Sequence, residues 1–318
     1  MNESEPTTEQ DRLAQPVDAE QPPRLSFPVV GIGASAGGLE AFSDFFKAMP
    51  SDSGMAFVLI QHLPPERESL MAEILGKRTD MTVREVEDGM PVEPDNVYVI
   101  RPGRTLTIHD GALHLGEPLE KPGHRHPVDD FFRSLAEEQR ERAVCVIMSG
   151  MGSNGTAGSQ AIKAVGGLCI AQDPDTAKFP SMPRALIDSG YADSILKPDE
   201  IPEFLSRYIK HPYIHGRRST SLERTDRQRL QEILAILRTR TRHSYDGYKK
   251  ATVLRRIERR MGLSQITDLA DYLRLLRQNP NEISALADDL LIHVTGFFRD
   301  ADAWQSLHDH VIVPLVAE

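Results

Sequence analysis

The sequence predicts an α/β fold, a doubly wound and mostly parallel sheet, followed by an all-α helical domain. Three observations carry this. From Leu25 to about Tyr208, short apolar runs alternate with stretches of helical periodicity, the pattern of a parallel sheet covered on both faces. The first apolar run enters a glycine-rich loop, Gly31-Ile32-Gly33-Ala34-Ser35-Ala36-Gly37-Gly38, and a helical pattern follows at once. Beyond His211–Ser221, which carries Pro212, Gly216, Arg217 and Arg218, only helical periodicity remains.

Strands are expected at Phe27–Gly31, Phe57–Gln61, Val97–Ile100, Ala143–Met148 and Gly167–Ala171. Thr105–Ile108 and Ala112–Leu115 flank His109-Asp110-Gly111, a hairpin signal. Helices are expected at Gly38–Lys47, Ser69–Arg78, Val128–Glu138, Gly155–Val165, Met182–Ser189 and Glu200–Tyr208. In the second half, Leu230, Ile233, Leu234 and Leu237 form one apolar face, and Val253, Leu254, Ile257 and Met261 a second. Leu269, Tyr272, Leu273 and Leu276 form a third, capped by Thr267 and stopped by Asn279-Pro280. Ile283, Leu286 and Leu290 make a fourth, and Trp304, Leu307 and Val311 begin a fifth. The domain reading is therefore an acidic, disordered tail over 1–24, an α/β domain over 25–208, a linker over 209–224 and a helical domain over 225–318.

At 318 residues, 40% hydrophobic and 26% charged, this is the composition of a soluble protein of about two domains. No apolar run approaches the ~18 residues of a transmembrane helix. The polar, acidic start has no apolar core of the signal-peptide kind, so a cytoplasmic location is expected. Cys145 and Cys169 each lie inside an apolar strand-like run and are expected as buried free thiols. Charge is uneven: Lys210–Arg260 holds 15 Lys or Arg against 5 Asp or Glu, a net of +10, in a chain of net charge −10. That segment reads either as a solvated helical face or as a surface for an acidic helix bundle. Nucleic acid is not expected, since aromatics for base stacking are few.

The chemistry is sought at the strand ends, where a parallel sheet places its loops on one edge. Gly33-Ala34-Ser35-Ala36-Gly37 has the form G-x-S-x-G of a nucleophile elbow. The same stretch spells Gly31-x-Gly33-x-x-Ala36, a dinucleotide fingerprint, but no acid ends the next strand, which runs into Gln61-His62-Leu63-Pro64. A tight turn with an incidental serine is the bland alternative. Ala143–Met148 runs into Ser149-Gly150-Met151-Gly152-Ser153-Asn154-Gly155. Ser35, His62 and Asn154 on one sheet edge suit a nucleophile, a base and an orienting group. The glycine-rich loop could offer backbone N–H groups to an oxyanion. His109, His114, His124 and His126 fit no zinc spacing, so no metal is expected.

At these residues the chain resembles the catalytic domain of the chemotaxis receptor methylesterases (CheB type). The matching strings are Gly-Ala-Ser-Ala-Gly-Gly-Leu-Glu at 33–40, Phe-Val-x-x-Gln-His-Leu-Pro at 57–64, Ser-Gly-Met-Gly-Ser-Asn-Gly at 149–155 and Ala-Gln-Asp-Pro at 171–174, with Arg184 in Ser-Met-Pro-Arg. The resemblance covers about 25–208. It implies hydrolysis of γ-glutamyl methyl esters on receptor helices without a cofactor, with glutamine deamidation as a side activity. It also implies Ser35 as nucleophile, His62 as general base and the Met151 N–H as oxyanion donor. The family places an aspartate where this chain has Asn154, which favours the competing class, a docking module that kept the fold and lost most of the chemistry. Asn154-Gly155 is also a pair prone to deamidation, which would restore an aspartate. The family's N-terminal phospho-acceptor domain is not expected within the short tail.

Residues 225–318 resemble the N-terminal helical part of chemotaxis receptor methyltransferases (CheR type). The strings are Tyr-Lys-Lys-Ala-Thr-Val-Leu-Arg-Arg-Ile-Glu-Arg-Arg at 248–260 and Leu-Leu-Ile-x-Val-Thr-x-Phe-Phe-Arg at 290–299. This resemblance implies Thr295 and Arg299 at an S-adenosyl-L-methionine site. No glycine-rich nucleotide loop follows, so the cofactor is expected only for a longer, fused esterase–transferase of which this chain is a fragment. The implied partner is a methyl-accepting chemoreceptor or similar signalling protein, with no membrane insertion.

Overall fold

The computed structural model describes residues 25–61, 70–117, 126–214, 224–245 and 247–291. The expectations for the 1–24 tail, His62, His124, Thr295, Arg299 and the helix around Trp304, Leu307 and Val311 lie outside the described residues.

The chain opens with β1 (Val29–Ala34), α1 (Gly38–Ala48), β2 (Ala56–Gln61) and α2 (Met71–Gly76). Short strands β3 (Thr82–Glu85), β4 (Met90–Pro91) and β5 (Asn96–Val99) follow, then the hairpin β6 (Thr105–His109) and β7 (Ala112–Gly116). The half closes with α3 (Pro127–Gln139), β8 (Val144–Ile147), α4 (Thr156–Ala164), β9 (Leu168–Gln172), α5 (Ser181–Asp188), β10 (Ser194–Leu196) and α6 (Ile201–Tyr208). A 7-stranded sheet has the order β10-β9-β8-β1-β2-β5-β3, and every neighbouring pair is parallel. The doubly wound parallel sheet expected from the sequence is present. β4, β7 and β6 form a separate antiparallel sheet.

Both faces of the large sheet are covered at its centre, so β1, β2, β8 and β9 are buried almost throughout rather than alternating. Val30 and Ile32 of β1, with Phe57 and Leu59 of β2, pack beneath Phe42, Phe45 and Phe46 of α1. Phe57 meets Phe45 and Phe46 edge-on at 5.7 and 5.6 Å between ring centres. Val29, Val58, Ile60, Cys145 and Ile147 face the other way, toward Phe131 and Phe132 of α3 and Ile162 of α4. Cys145 and Cys169 are free and buried, and burial pushes the Cys169 thiol well above its ordinary value. The hairpin turn has Asp110 at φ 54° and Gly111 at φ 75°, both left-handed as a two-residue type I′ turn requires.

The order of strands places a switch at β1. The chain steps from β1 to β2 on one side and returns to β8 on the other. The loops after β1 and β8 therefore flank the crevice where such sheets bind ligands.

The helical half consists of α7 (Arg224–Thr241), α8 (Lys250–Leu263), α9 (Leu269–Gln278) and α10 (Pro280–Leu291) around a core that includes Ile233, Leu237, Ile257, Tyr272, Leu276 and Leu286. The cap of α9 is corrected: Asp268, not Thr267, accepts from Ala270 N–H at 2.7 Å and from Asp271 N–H at 3.4 Å.

The two halves meet through α8. Arg256 donates to the carbonyls of Lys163 (3.1 Å) and Ala164 (2.7 Å). Arg259, fully buried, donates to the Gly167 carbonyl at 2.7 Å, to Asp193 at 2.5 Å and to Asp289 of α10 at 2.6 Å. Lys163 reaches the other oxygens of the same two aspartates, at 2.6 and 3.5 Å. Two cations thus face two carboxylates away from water. Burial alone would raise the Asp193 carboxyl, but Arg259 and then Lys163 outweigh it and hold it below the ordinary carboxylate value. Residues read as the start of a linker are also packed here. Tyr213 is buried and donates to the Gly166 carbonyl at 2.9 Å, and His211 Nε2 lies 2.8 Å from the Ile266 carbonyl. The +10 segment is therefore not wholly a free face: Arg256 and Arg259 are spent here, and Arg260 binds Glu282 with both ends of its fork.

Candidate active site

Ser35 sits just past β1, in the turn that starts α1. Its N–H donates to the Ser149 carbonyl at 3.0 Å, and its carbonyl accepts from Gly38 N–H at 3.0 Å. Gly37, the residue before α1, has φ 77°, a left-handed conformation that closes this turn and that side chains with a Cβ rarely adopt. The helix start has no side-chain cap, and its first N–H, that of Gly38, is taken by the Ser35 carbonyl.

The loop after β8 is pressed against this turn. A Cβ on Gly150 would lie 3.1 Å from Ser35 Cβ and 2.1 Å from Met182 Sδ, so any larger residue here would have to displace the Met182 side chain and crowd the elbow. Ser149, buried, locks the junction: its N–H donates to Gln172 Oε1 at 2.8 Å, its hydroxyl donates to the Ala36 carbonyl at 2.8 Å, and Phe179 N–H donates back to that hydroxyl at 3.0 Å. Met151, one residue on, has an exposed side chain. Arg184 is exposed on α5.

Gln61 at the end of β2 donates from Nε2 to the Ser35 carbonyl at 3.0 Å. The residue after it, His62, is outside the described set, but the strand that leads to it is fixed to the elbow by this bond. A cleft of about 810 Å³ borders the elbow, lined in part by Gly37, Glu40, Ser149, Gln172, Lys178 and Lys197. Ser35 is beside this cleft rather than within it.

Asn154 precedes α4. Its Oδ1 accepts the main-chain N–H of Asp129, in the first turn of α3, at 3.2 Å. Asp129 returns the contact: its Oδ1 accepts from Gly155 N–H at 3.0 Å and from Gly158 N–H at 2.6 Å. Each residue thus caps the other's helix, and a buried carboxylate sits at the positive end of α4. Its second oxygen is 3.6 Å from His126 Nδ1. His109 and His114 lie across the hairpin with ring centres 6.2 Å apart, and no cluster fit for a metal occurs among the described residues.

The structure brings the Ser35 turn against Ser149 and Gly150 at the start of the 149–155 loop, while Asn154 near its other end is held by Asp129. Reading the sequence missed Gln61, Ser149, Gln172 and Asp129. Gln61 had a signal in its place beside His62. Asp129 had none, since its partners lie 25 to 29 residues away.

Residues 30–205 match the family model described as CheB methylesterase, and residues 228–291 match the one described as CheR methyltransferase, all-alpha domain. The chain is 38% identical over 271 residues to an uncharacterized 104.1 kDa protein of Rhodobacter capsulatus, covering 78% of this chain and 28% of that one. It is 32% identical over 200 residues to the protein-glutamate methylesterase/protein-glutamine glutaminase of Thermotoga maritima, covering 59% of this chain and 56% of that one. To the protein of the same name from Geobacillus kaustophilus it is 36% identical over 186 residues, covering 57% and 53%. The chain thus spans about half the length of these methylesterases and less of the Rhodobacter protein. Among solved structures, the Thermotoga maritima CheB methylesterase catalytic domain superposes with a TM-score of 0.53 at 34% identity, covering 57% of this chain and 98% of that one.

Proposed function

This chain belongs to the CheB methylesterase family, and from that premise we propose that its 25–208 domain hydrolyses γ-glutamyl methyl esters on a methyl-accepting signalling protein, with Ser35 as the nucleophile. The observation that carries the reading is the Ser35 elbow seated against the 149–155 loop at the sheet's switch point. In the proposed reaction His62 takes the Ser35 hydroxyl proton as the oxygen attacks the ester carbonyl. The resulting oxyanion is stabilised by backbone N–H groups of the glycine-rich loop, that of Met151 foremost. Collapse expels methanol, which takes the proton from His62 and leaves a glutamyl ester on Ser35. Water, deprotonated by His62, then releases the glutamate carboxylate. A glutamine side chain entering the same cycle would leave ammonia in place of methanol. Protein groups and water supply every step, so the proposal calls for no cofactor.

Asn154 bears on the rate. Its carbonyl oxygen is shared with Asp129 N–H, its NH₂ turned to a histidine would favour the wrong imidazole tautomer, and neither group carries charge for the imidazolium. The proposal is therefore a slow esterase, and this same observation favours the second reading, a docking module. Residues 225–318 are proposed as the N-terminal part of a fused methyltransferase, with Thr295 and Arg299, outside the described residues, assigned to S-adenosyl-L-methionine. No helix among the described residues is long and apolar enough to cross a membrane.

A fluorophosphonate probe tests the nucleophile. The adduct is expected on Ser35 and is lost in Ser35→Ala. Labelling of another residue, or equal labelling of the variant, contradicts the assignment.

A further inference from the structure

We propose that the helical segment braces the esterase: Arg256 and Arg259 of α8 are positioning residues that hold α4 by its C-terminal end and so fix the Asn154–Gly155 end of the loop whose start meets the Ser35 elbow. The inference rests on the esterase reading above and adds to it a dependence of turnover on the fused segment.

The α4 helix has its two ends in two different sites. It is 9 residues long, ~13 Å at about 1.5 Å per residue, and short enough to move as a rod. Its N-terminal end carries Asn154 and Gly155, held by the reciprocal caps with Asp129. At the other end Arg256 donates to the carbonyls of Lys163 and Ala164, the last two residues of α4, and Arg259 donates to those of Gly166 and Gly167 in the turn that follows. Their charges match the negative end of the helix. The same Arg259 binds Asp193, which also accepts from Lys163 and from Cys169 N–H at the start of β9, so the clamp also holds the strand that follows α4. Asp289 of α10 and Lys163 of α4 close the cluster as an ion pair across the two halves. An α/β domain that lacked α8 would keep the Lys163–Asp193 pair but lose the guanidinium partners of Asp193 and of the Lys163, Ala164 and Gly167 carbonyls. Here they have a fixed, planar fork from the fused segment.

Arg256→Gln, Arg256→Lys and Arg259→Met are made in the full 318-residue chain carrying Asn154→Asp, and methanol release from a methylated receptor fragment is measured together with amide hydrogen exchange. Arg256→Gln and Arg259→Met are expected to lower kcat by about tenfold with little change in KM, since the defect is in alignment rather than substrate binding. Exchange should rise at Gly155–Ser159, toward the N-terminal end of α4, while β1 and β2 stay protected. Arg256→Lys, which keeps the charge and one donor to the carbonyls, should recover most of the turnover. If α8 exchanges freely but kcat and the exchange at Gly155–Ser159 are unchanged, the brace is refuted. Arg256→Gln, which leaves the aspartates paired, decides the matter if Arg259→Met does not fold. If the Asn154→Asp parent releases no methanol, the esterase reading fails, and the exchange at Gly155–Ser159 alone then decides whether the two ends of α4 are coupled.

Discussion

Asn154 gives its side-chain carbonyl to the main-chain N–H of Asp129, and Asp129 gives its carboxylate to two N–H groups at the start of Asn154's own helix. An aspartate at 154 could make the first contact with one oxygen and still offer the other to an imidazole. Asparagine has a single oxygen to share between the two and no charge. This difference underlies the activity expected of Asn154→Asp.

Asp129→Asn keeps the shape of the cap but removes a buried negative charge from the N-terminal end of α4. The expected loss is about 1 kcal/mol of stability, within the range of helix caps and dipole contacts. Urea unfolding followed by far-UV circular dichroism measures it. An unchanged midpoint would mean that the Gly155 and Gly158 N–H groups are equally well served by the neutral amide.

Deamidation at Asn154-Gly155 should be slow in the folded chain despite the favourable sequence. Cyclisation needs the Gly155 nitrogen to turn onto the Asn154 side chain, and that N–H is held by Asp129 at 3.0 Å. Mass spectrometry during ageing at mildly alkaline pH should show conversion at residue 154 faster in urea than in buffer. Equal rates would contradict the hold. Any deamidated protein formed as aspartate should gain esterase activity.

The clamp between the halves should survive mild acid. The Asp193 carboxyl is held below its ordinary value of 3.8 by Arg259 and Lys163 against the penalty of burial. A carboxyl with a lowered folded-state pKa contributes stability at any pH above its unfolded value and loses it as pH falls through the folded one. Unfolding midpoints should therefore be insensitive to Asp193 between pH 5 and 7, in the sense that Asp193→Asn lowers both by the same amount, and the difference should shrink only below about pH 4. A difference that vanishes already at pH 5 would mean the pair is far weaker than its burial implies. Removing one partner of such a buried pair costs on the order of 3–5 kcal/mol.

Much of this molecule is legible in its sequence because the large sheet is buried on both faces. β1, β2, β8 and β9 are continuous apolar runs, and nothing else in the chain looks like them. β3 escapes notice because it is an edge strand with Arg84 and Glu85 turned partly to water, and β10 because it has three residues. Thr267 and Asp268 are equally good caps on paper, and only the fold selects the side chain that reaches Ala270. Ser35 and Asn154 stand out through their glycine-rich settings. Asp129 does not, since an acid in the first turn of a helix is commonplace until α4 is packed against it. Arg259 is the sharpest case. Within α8 it belongs to a basic run that reads as a solvated or docking face, yet it is fully buried, because Asp193 and Asp289 approach it from 66 and 30 residues away.

Methanol release from a methylated receptor fragment by three forms of the chain separates an esterase with Ser35 as nucleophile from a docking module. Slow release is expected from the chain as it stands, none from Ser35→Ala, and a gain of ~10²-fold or more for Asn154→Asp, less than the ~10⁴-fold that the reverse change costs in another serine enzyme. Release by Ser35→Ala at the rate of the parent, or a fresh parent that already matches Asn154→Asp, would contradict this expectation.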